Sequence, residues 1–405
     1  MNKERFNKLP VMLAMLVVAT GQVGVSIYLP SLPLMSEALG IDFATAQWVV
    51  TGYLVSLGFS QLIYGPLADA IGRRPVFIAG QGIYLIGTLV CVAFDHSFTM
   101  IVLGRVLQGL GAGSASVISN SIIRDSYGGK NLAKALSYVA IMASIMPMVA
   151  PVLGGWLTWQ FGWHSVFVFV LVYIAAIYLV GLLILPETLP YQRRWLDVRA
   201  VVKDYSSLIA NPQVVTSAAY GWINFLMIML ALSILPYLLQ QELGMSAADY
   251  GVIMILPSLG LMLGSLMQNV VSKYLHAYQI LAGALCMSMV SGTWLALGEF
   301  NITNLIGAVG LLAMAQGFIF PVATSLLLGP HKKRAGTVTA LSGAIQMFLT
   351  GFGGGWLATL VTDQHALGWF FIAMTSVMFG LLLLRIMYRA RFAHFEAELS
   401  DTTQA

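Results

Sequence analysis

Twelve apolar runs divide this chain, at 9–29, 44–66, 76–94, 98–121, 134–156, 164–185, 213–239, 247–270, 278–297, 303–328, 336–360 and 366–388. Each is about 20 residues long, the length at which a helix crosses a hydrocarbon layer of ~30 Å. Backbone groups left unpaired in hydrocarbon are intolerable, and the short alternating segments of a barrel are absent, so these runs read as helices. The expected fold is an all-α integral membrane protein. With 59% hydrophobic and 9% charged residues, the chain has too little polar surface for a soluble domain, and a lipid bilayer is its solvent.

The net charge of +4 would suit nucleic acid or anionic lipid, but charge placement gives a different account. Threading the spans with the N-terminus inside puts nineteen of the twenty Lys and Arg residues in the cytoplasm, among them Arg73, Arg74, Arg124, Lys273 and Arg385. The opposite face receives acids instead, such as Glu37, Asp42, Asp95 and Glu299. The positive-inside rule therefore expects both termini and the central loop to be cytoplasmic, with no nucleic-acid partner. The N-terminal run is too long for a cleaved signal and reads as a retained span. Cys91 and Cys286 lie in different spans and read as small apolar packing residues.

Loops are short except at 187–212, where prolines and basic residues collect. The expected organisation is a six-helix half at 1–186, a cytoplasmic central loop at 187–212, a second six-helix half at 213–390 and a cytoplasmic tail at 391–405. The halves echo each other: Gln108-Gly109 in span four recurs as Gln316-Gly317 in span ten, and Gly154-Gly155-Trp156 in span five as Gly354-Gly355-Trp356 in span eleven. Such an internal duplication suits two units rocking about a site near the bilayer midplane.

Three clusters depart from plain hydrophobic spans. Between spans two and three, Gly65 to Pro75 is a glycine-rich turn holding Asp69, Gly72, Arg73 and Arg74. A carboxylate there can sit at a helix N-terminus and also pair with an arginine. Span four carries Arg105 with Gln108 and Gly109, and Arg105 is the one basic residue placed deep in any span, Lys134 and Arg385 lying at span ends. Its insertion costs at least ~3 kcal/mol, so a function is the default reading. Being always protonated, it either tunes a neighbour's pKa or holds a water; the structural alternative is a side chain bonded to backbone carbonyls or reaching toward the span end. Span five carries Pro147 and Pro151, four apart on one face, followed by Gly154 and Gly155. The prolines remove backbone hydrogen bonds and bend the helix, and the glycines permit close helix approach.

These clusters resemble signatures of the major facilitator superfamily. The turn is similar to its G-x-x-x-D-(R/K)-x-G-R-(R/K) loop, span four to the R-x-x-Q-G motif of proton-coupled members, and span five to the G-P-x-x-G-G antiporter motif. With Tyr28 to Pro33 ending span one, Gly162 to Phe167 opening span six and Pro186-Glu187-Thr188 closing it, the set resembles the twelve-span drug:proton antiporters, in the branch of the bicyclomycin-resistance and EmrD proteins. The resemblance implies the major facilitator fold in two six-helix halves, an Asp69–Arg73 latch between halves at the cytoplasmic side, a part for Arg105 in proton transfer, and export as the direction set by span five. Ala70, Ala150 and His164 depart from the family pattern. A kinked, tightly packed span five without directional meaning remains the alternative.

No Asp, Glu or His lies deep in a span. Proton coupling must then use span ends such as Glu37, Asp42, Asp69 or Asp125, or act around Arg105. A cavity without carboxylates favours lipophilic, neutral or weakly cationic substrates held by aromatic, Met and amide groups. The candidates are Gln22, Tyr28, Tyr53, Gln61, Tyr64, Trp222, Asn224, Phe225, Tyr237, Met254, Gln268 and Gln346. No metal, nucleophile–base pair or phosphate loop is recognisable, so neither an enzyme nor a cofactor is expected. The expected function is proton-coupled multidrug efflux across a bacterial inner membrane, by a chain in which nothing requires more than a monomer. Export of a small metabolite such as a sugar or amino acid is the alternative.

Overall fold

The computed structural model describes residues 8–187 and 197–402, apart from the side chains of residues 116, 130, 133, 144, 332, 333 and 388–402. Its regular structure among these residues is entirely helical, with 12 helical stretches long and apolar enough to cross a membrane. The first six are Leu9–Leu39, Phe43–Ile71, Arg73–Ala93, Phe98–Ser126, Lys134–Phe161 and His164–Ile184. The second six are Pro212–Glu242, Ala247–Val271, Ala277–Leu297, Ile302–His331, Ala335–Leu357 and Gln364–Met387. An even number of crossings puts both termini at one face, called the terminal face below; the other is the far face.

Three elements run beyond the expected boundaries. Span one does not stop at its prolines. The helix Leu9–Ser26 passes into a tight turn at Leu29–Ser31 and a second helix Leu32–Leu39, because Pro30 and Pro33 each stand where a first-turn proline costs no hydrogen bond. Gly40, at φ +63°, ends it in the left-handed conformation. The last helix continues to Thr402, so the expected tail begins as helix. The central loop contains an amphipathic helix, Val198–Ile209, capped by Asp197 accepting from the Ala200 amide at 3.0 Å. Residues 188–196, which hold Thr188, Pro190, Arg193 and Arg194, lie outside those described.

Large apolar side chains face outward, Leu183 and Leu297 among the most exposed, as lipid solvent allows. Inside, glycines bring helices together. A Cβ on Gly109 of span four would collide with the Tyr53 carbonyl of span two, and one on Gly317 of span ten with the Leu261 carbonyl of span eight. The echoed Gln-Gly pairs thus make the same helix contact in each half.

Candidate functional site

The two halves meet mainly toward the far face. There Gln47 donates to the Ser233 carbonyl at 3.3 Å, Thr51 to the Gly351 carbonyl at 3.1 Å, Tyr237 to the Leu32 carbonyl at 3.4 Å and Gln240 to the Pro30 carbonyl at 3.0 Å. One glycine of each echoed pair, Gly155 and Gly355, faces the other half at this seam, while Gly154 packs within its own half. A Cβ on Gly154 would strike the Ile27 carbonyl of span one, a Cβ on Gly155 the Ala247 carbonyl of span eight, and a Cβ on Gly251 would lie 2.6 Å from the Pro151 carbonyl. Gly355 approaches Thr51 of span two in the matching position. Toward the terminal face, span five is exposed almost all round at Leu136, Tyr138 and Ile141, and span eight at Met262, Leu263, Leu266 and Val270. Spans five and eight therefore part there, while spans two and eleven stay together as far as Gln61 beside Gly343. The helix of span five runs unbroken through Pro147 and Pro151 from Gly129 to Phe161.

Arg105 is 1% exposed and fully engaged. Its Nε donates to the Val49 carbonyl of span two at 3.0 Å, Nη2 to the Gly24 carbonyl of span one at 2.9 Å and Nη1 to Gln108 Oε1 at 2.8 Å. The guanidinium lies between the rings of Tyr28 and Tyr53, each 4.3 Å away. Gln108 passes the network on, donating to Thr88 at 2.8 Å and Tyr28 at 3.4 Å. Among the described residues no carboxylate joins the cluster. The geometry matches the structural alternative raised by the sequence: a planar fork that pins spans one, two and four, its charge neutralised by carbonyl dipoles and aromatic faces.

The second cluster lies at the terminal face. Arg73, 8% exposed, donates from Nη1 to Asp69 at 2.6 Å and from Nε to Asp125 at 3.3 Å, while its backbone amide donates to Glu187 at 2.9 Å. Arg74 donates to the Leu182 carbonyl at 3.1 Å. The expected pairing of Asp69 with Arg73 is present, and the described partners of Arg73 are Asp69 and Asp125 of the first half and Glu187 at the start of the central loop. Arg105 and Asp125 share one helix, Phe98–Ser126, at positions twenty residues apart, about 30 Å at the rise of an α-helix. Arg105, Asp69 and Asp125 are thus two sites, too far apart for direct proton exchange. Asp42 acts locally, capping span two, and donation from Thr45 holds its carboxyl below the ordinary range.

Gly72 makes the second cluster possible, since its φ of +113° admits the Glu187 carboxylate where a Cβ would stand. Gly72→Ala is expected to lower stability by at least ~2 kcal/mol through backbone strain and expulsion of Glu187. Gly65→Ala, with nothing within 4 Å of the added methyl, is expected to match the wild type; the comparison of thermal midpoints in detergent decides.

The expected substrate residues do not form one wall. Tyr28 and Tyr53 are shut in with Arg105, and Tyr53 also donates to the Gly21 carbonyl at 3.1 Å. Tyr64 packs under span three, Met254 in the core of the second half, and Trp222 donates to the Ser342 carbonyl at 2.9 Å. Tyr237 belongs to the far-face seam, edge-on to Phe43 with ring centroids 4.3 Å apart. Asn224 and Gln346 are buried, while Gln22, Gln61, Phe225 and Gln268 remain half-buried. Sequence reasoning did not single out Gln47, Thr51 or Gln240, whose far-face role comes from bonds to backbone carbonyls that leave no sequence pattern. Glu187 entered only within the Pro186-Glu187-Thr188 motif that closes span six, with no partner assigned to it.

The chain matches the model of the Major Facilitator Superfamily over residues 14–353. It is 28% identical to Multidrug resistance protein D of Escherichia coli over 393 residues, 95% of each chain. It is 27% identical to Multidrug resistance protein MdtL of Klebsiella pneumoniae over 377 residues, 93% of this chain and 94% of that one. Among solved structures it is similar to the nucleoside transporter NupG at a TM-score of 0.74, with 13% identity over 93% of this chain and 99% of the other. It is also similar to an inward-facing, unoccupied bacterial homologue of the human lysosomal transporter Spinster, at a TM-score of 0.67, with 16% identity over 95% of this chain and 96% of that one. Twelve membrane-crossing helices in two like halves, with a seam at one face and a gap at the other, and the family match across most of the chain lead to one conclusion: this protein belongs to the Major Facilitator Superfamily, whose members are membrane transporters and not enzymes.

Proposed function

We propose that the chain exports lipophilic and amphipathic compounds across a bacterial inner membrane by alternating access, in exchange for protons. The terminal face is then cytoplasmic and the far face periplasmic, a reading that the charge distribution of the loops supports. The observation that carries the reading is the arrangement of the halves, joined at the far face through Gln47, Thr51, Tyr237 and Gln240 and parted between spans five and eight at the other. This is one of the two states that alternating access needs. Two relatives that align over nearly their whole length are multidrug resistance proteins, which supports drug-like substrates.

Gln22, Gln61, Phe225 and Gln268, half-buried among apolar spans, are the proposed substrate contacts in this state. Their amides orient a polar group while the apolar surroundings take the rest. Protons exchange with the carboxylates gathered on Arg73, namely Asp69 and Asp125. Arg105 acts on coupling through the helices it holds and not by carrying a proton, since a guanidinium keeps its charge. A membrane potential supplies ~2.3 kcal/mol per charge per 100 mV, enough for roughly a fifty-fold gradient. Overproduced in a bacterium stripped of its own pumps, the protein is expected to lower the steady-state accumulation of a cationic lipophilic dye several-fold, and a protonophore is expected to abolish the difference. Equal accumulation with and without the protein would sink the export reading; a difference that survives the protonophore would remove proton coupling alone.

A further inference from the structure

The connector helix Val198–Ile209 has an apolar surface that the protein covers only in part. At ~100° per residue, Leu208, Val201, Tyr205, Val198, Ile209 and Val202 follow one another around a continuous apolar arc of ~120°. One edge of that arc is held by the membrane domain. Leu208 is buried in a cluster with Trp222, Val338 and Leu341, and Tyr205 donates to the Leu62 carbonyl of span two at 3.1 Å. The other edge is open: Val198 is 60% exposed, Val202 59% and Ile209 52%.

Charge follows the same division. Asp204 lies on the protein side, 4.0 Å from Arg334. Arg199 and Lys203 are exposed and lie beyond the open apolar edge, past Ser206, at ~100° and ~140° around the helix from Val198. A helix held at a membrane face, with its bare valines and isoleucine bordered by cations, has the makeup of a segment lying in the headgroup layer. We propose that this helix is a binding element for anionic phospholipid, with Val198, Val202 and Ile209 entering the acyl boundary and Arg199 and Lys203 pairing with headgroup phosphates. Through Tyr205 and Leu208 the lipid contact reaches span two in one half and spans seven and eleven in the other.

The test uses the purified full chain in detergent, with phosphatidylglycerol or phosphatidylcholine titrated in while the thermal midpoint is followed. Phosphatidylglycerol is expected to raise the midpoint and phosphatidylcholine to leave it in place. The double variant Arg199→Gln with Lys203→Gln is expected to need on the order of tenfold more phosphatidylglycerol for half the shift. Lys273→Gln, which removes another exposed cation of the same face, is expected to titrate as the wild type. A double variant that titrates as the wild type, or a Lys273 variant that loses as much, overturns the proposal. A second measurement keeps the answer independent of folding defects. An environment-sensitive dye on Val202→Cys, in a Cys286→Ser background, is expected to report an apolar surround in phosphatidylglycerol nanodiscs. Water-like emission there would refute membrane contact and would point to a soluble partner for the same edge.

Discussion

Arg105→Lys is expected to reduce export at least tenfold, while the protein still inserts and accumulates. The arginine reaches three acceptors that diverge from one plane, the carbonyls of Val49 and Gly24 and the amide oxygen of Gln108, and presents two flat faces to Tyr28 and Tyr53. Lysine keeps the charge but carries its donors on one nitrogen, so it can serve one or two of these acceptors and stack on neither ring as a plane. Each buried acceptor left over costs ~1–3 kcal/mol, and the total is enough to loosen the packing of spans one, two and four. If the charge alone mattered, as in tuning the pKa of a distant carboxylate, lysine would suffice. Export by Arg105→Lys at the wild-type rate would therefore defeat the pinning role, and loss of export with a lower thermal midpoint would support it. Tyr53→Phe, which keeps the ring and removes only the bond to the Gly21 carbonyl, is expected to be nearly silent.

The contrast between Arg105 and its neighbours shows which features a sequence can carry. A cation among apolar residues stands out because its insertion is costly, so the position was legible. Its partners were not, since two of the three acceptors are backbone carbonyls on other helices, which every residue type supplies. Tyr28 and Tyr53 read equally well as cavity aromatics or as ring partners of the guanidinium, and only their burial against Arg105 decides. The spans were legible from length and apolarity because hydrocarbon leaves the backbone no alternative to helix. The connector helix was missed although the spacing of Val198, Val201, Val202, Tyr205, Leu208 and Ile209 carries its period; the prolines and bases around it had the look of a loop. The Asp69–Arg73 pair was legible from the resemblance of its turn to a family loop, whereas its junction with Glu187 depends on the backbone angle of Gly72, which no motif spells out. The expected latch between halves is not seen in the described partners of Arg73, which are Asp69 and Asp125 of the first half and Glu187 at the start of the central loop.

Gly155→Val is expected to bring export below a tenth of wild type by a different route, acting on the balance of states and leaving the Arg105 pin intact. The new side chain would point at the Ala247 carbonyl of span eight, at a place where Gly251 in turn approaches the Pro151 carbonyl at 2.6 Å. These neighbours are backbone and cannot swing aside, so the overpacking cost of ~1–3 kcal/mol falls on the far-face-closed state alone. A bias of that size moves a two-state equilibrium by roughly fivefold to 150-fold. The seam should open, exposing Ser233, whose side chain is buried beside Gln47. In a Cys286→Ser background, Ser233→Cys should react faster with a membrane-impermeant thiol reagent when Gly155→Val is present. The echo in the second half supplies the control: Gly354, one position before the glycine that meets Thr51, has nothing within 4 Å of an added Cβ, so Gly354→Val should transport normally. Wild-type export by Gly155→Val, with Ser233→Cys still shielded, would mean that the seam tolerates a wedge and that spans five and eight do not govern the far-face closure. A seam that opens in the Gly155 variant while Gly354→Val stays silent would tie closure of that face to the glycine that meets the opposite half, and not to the glycine content of the echoed pairs.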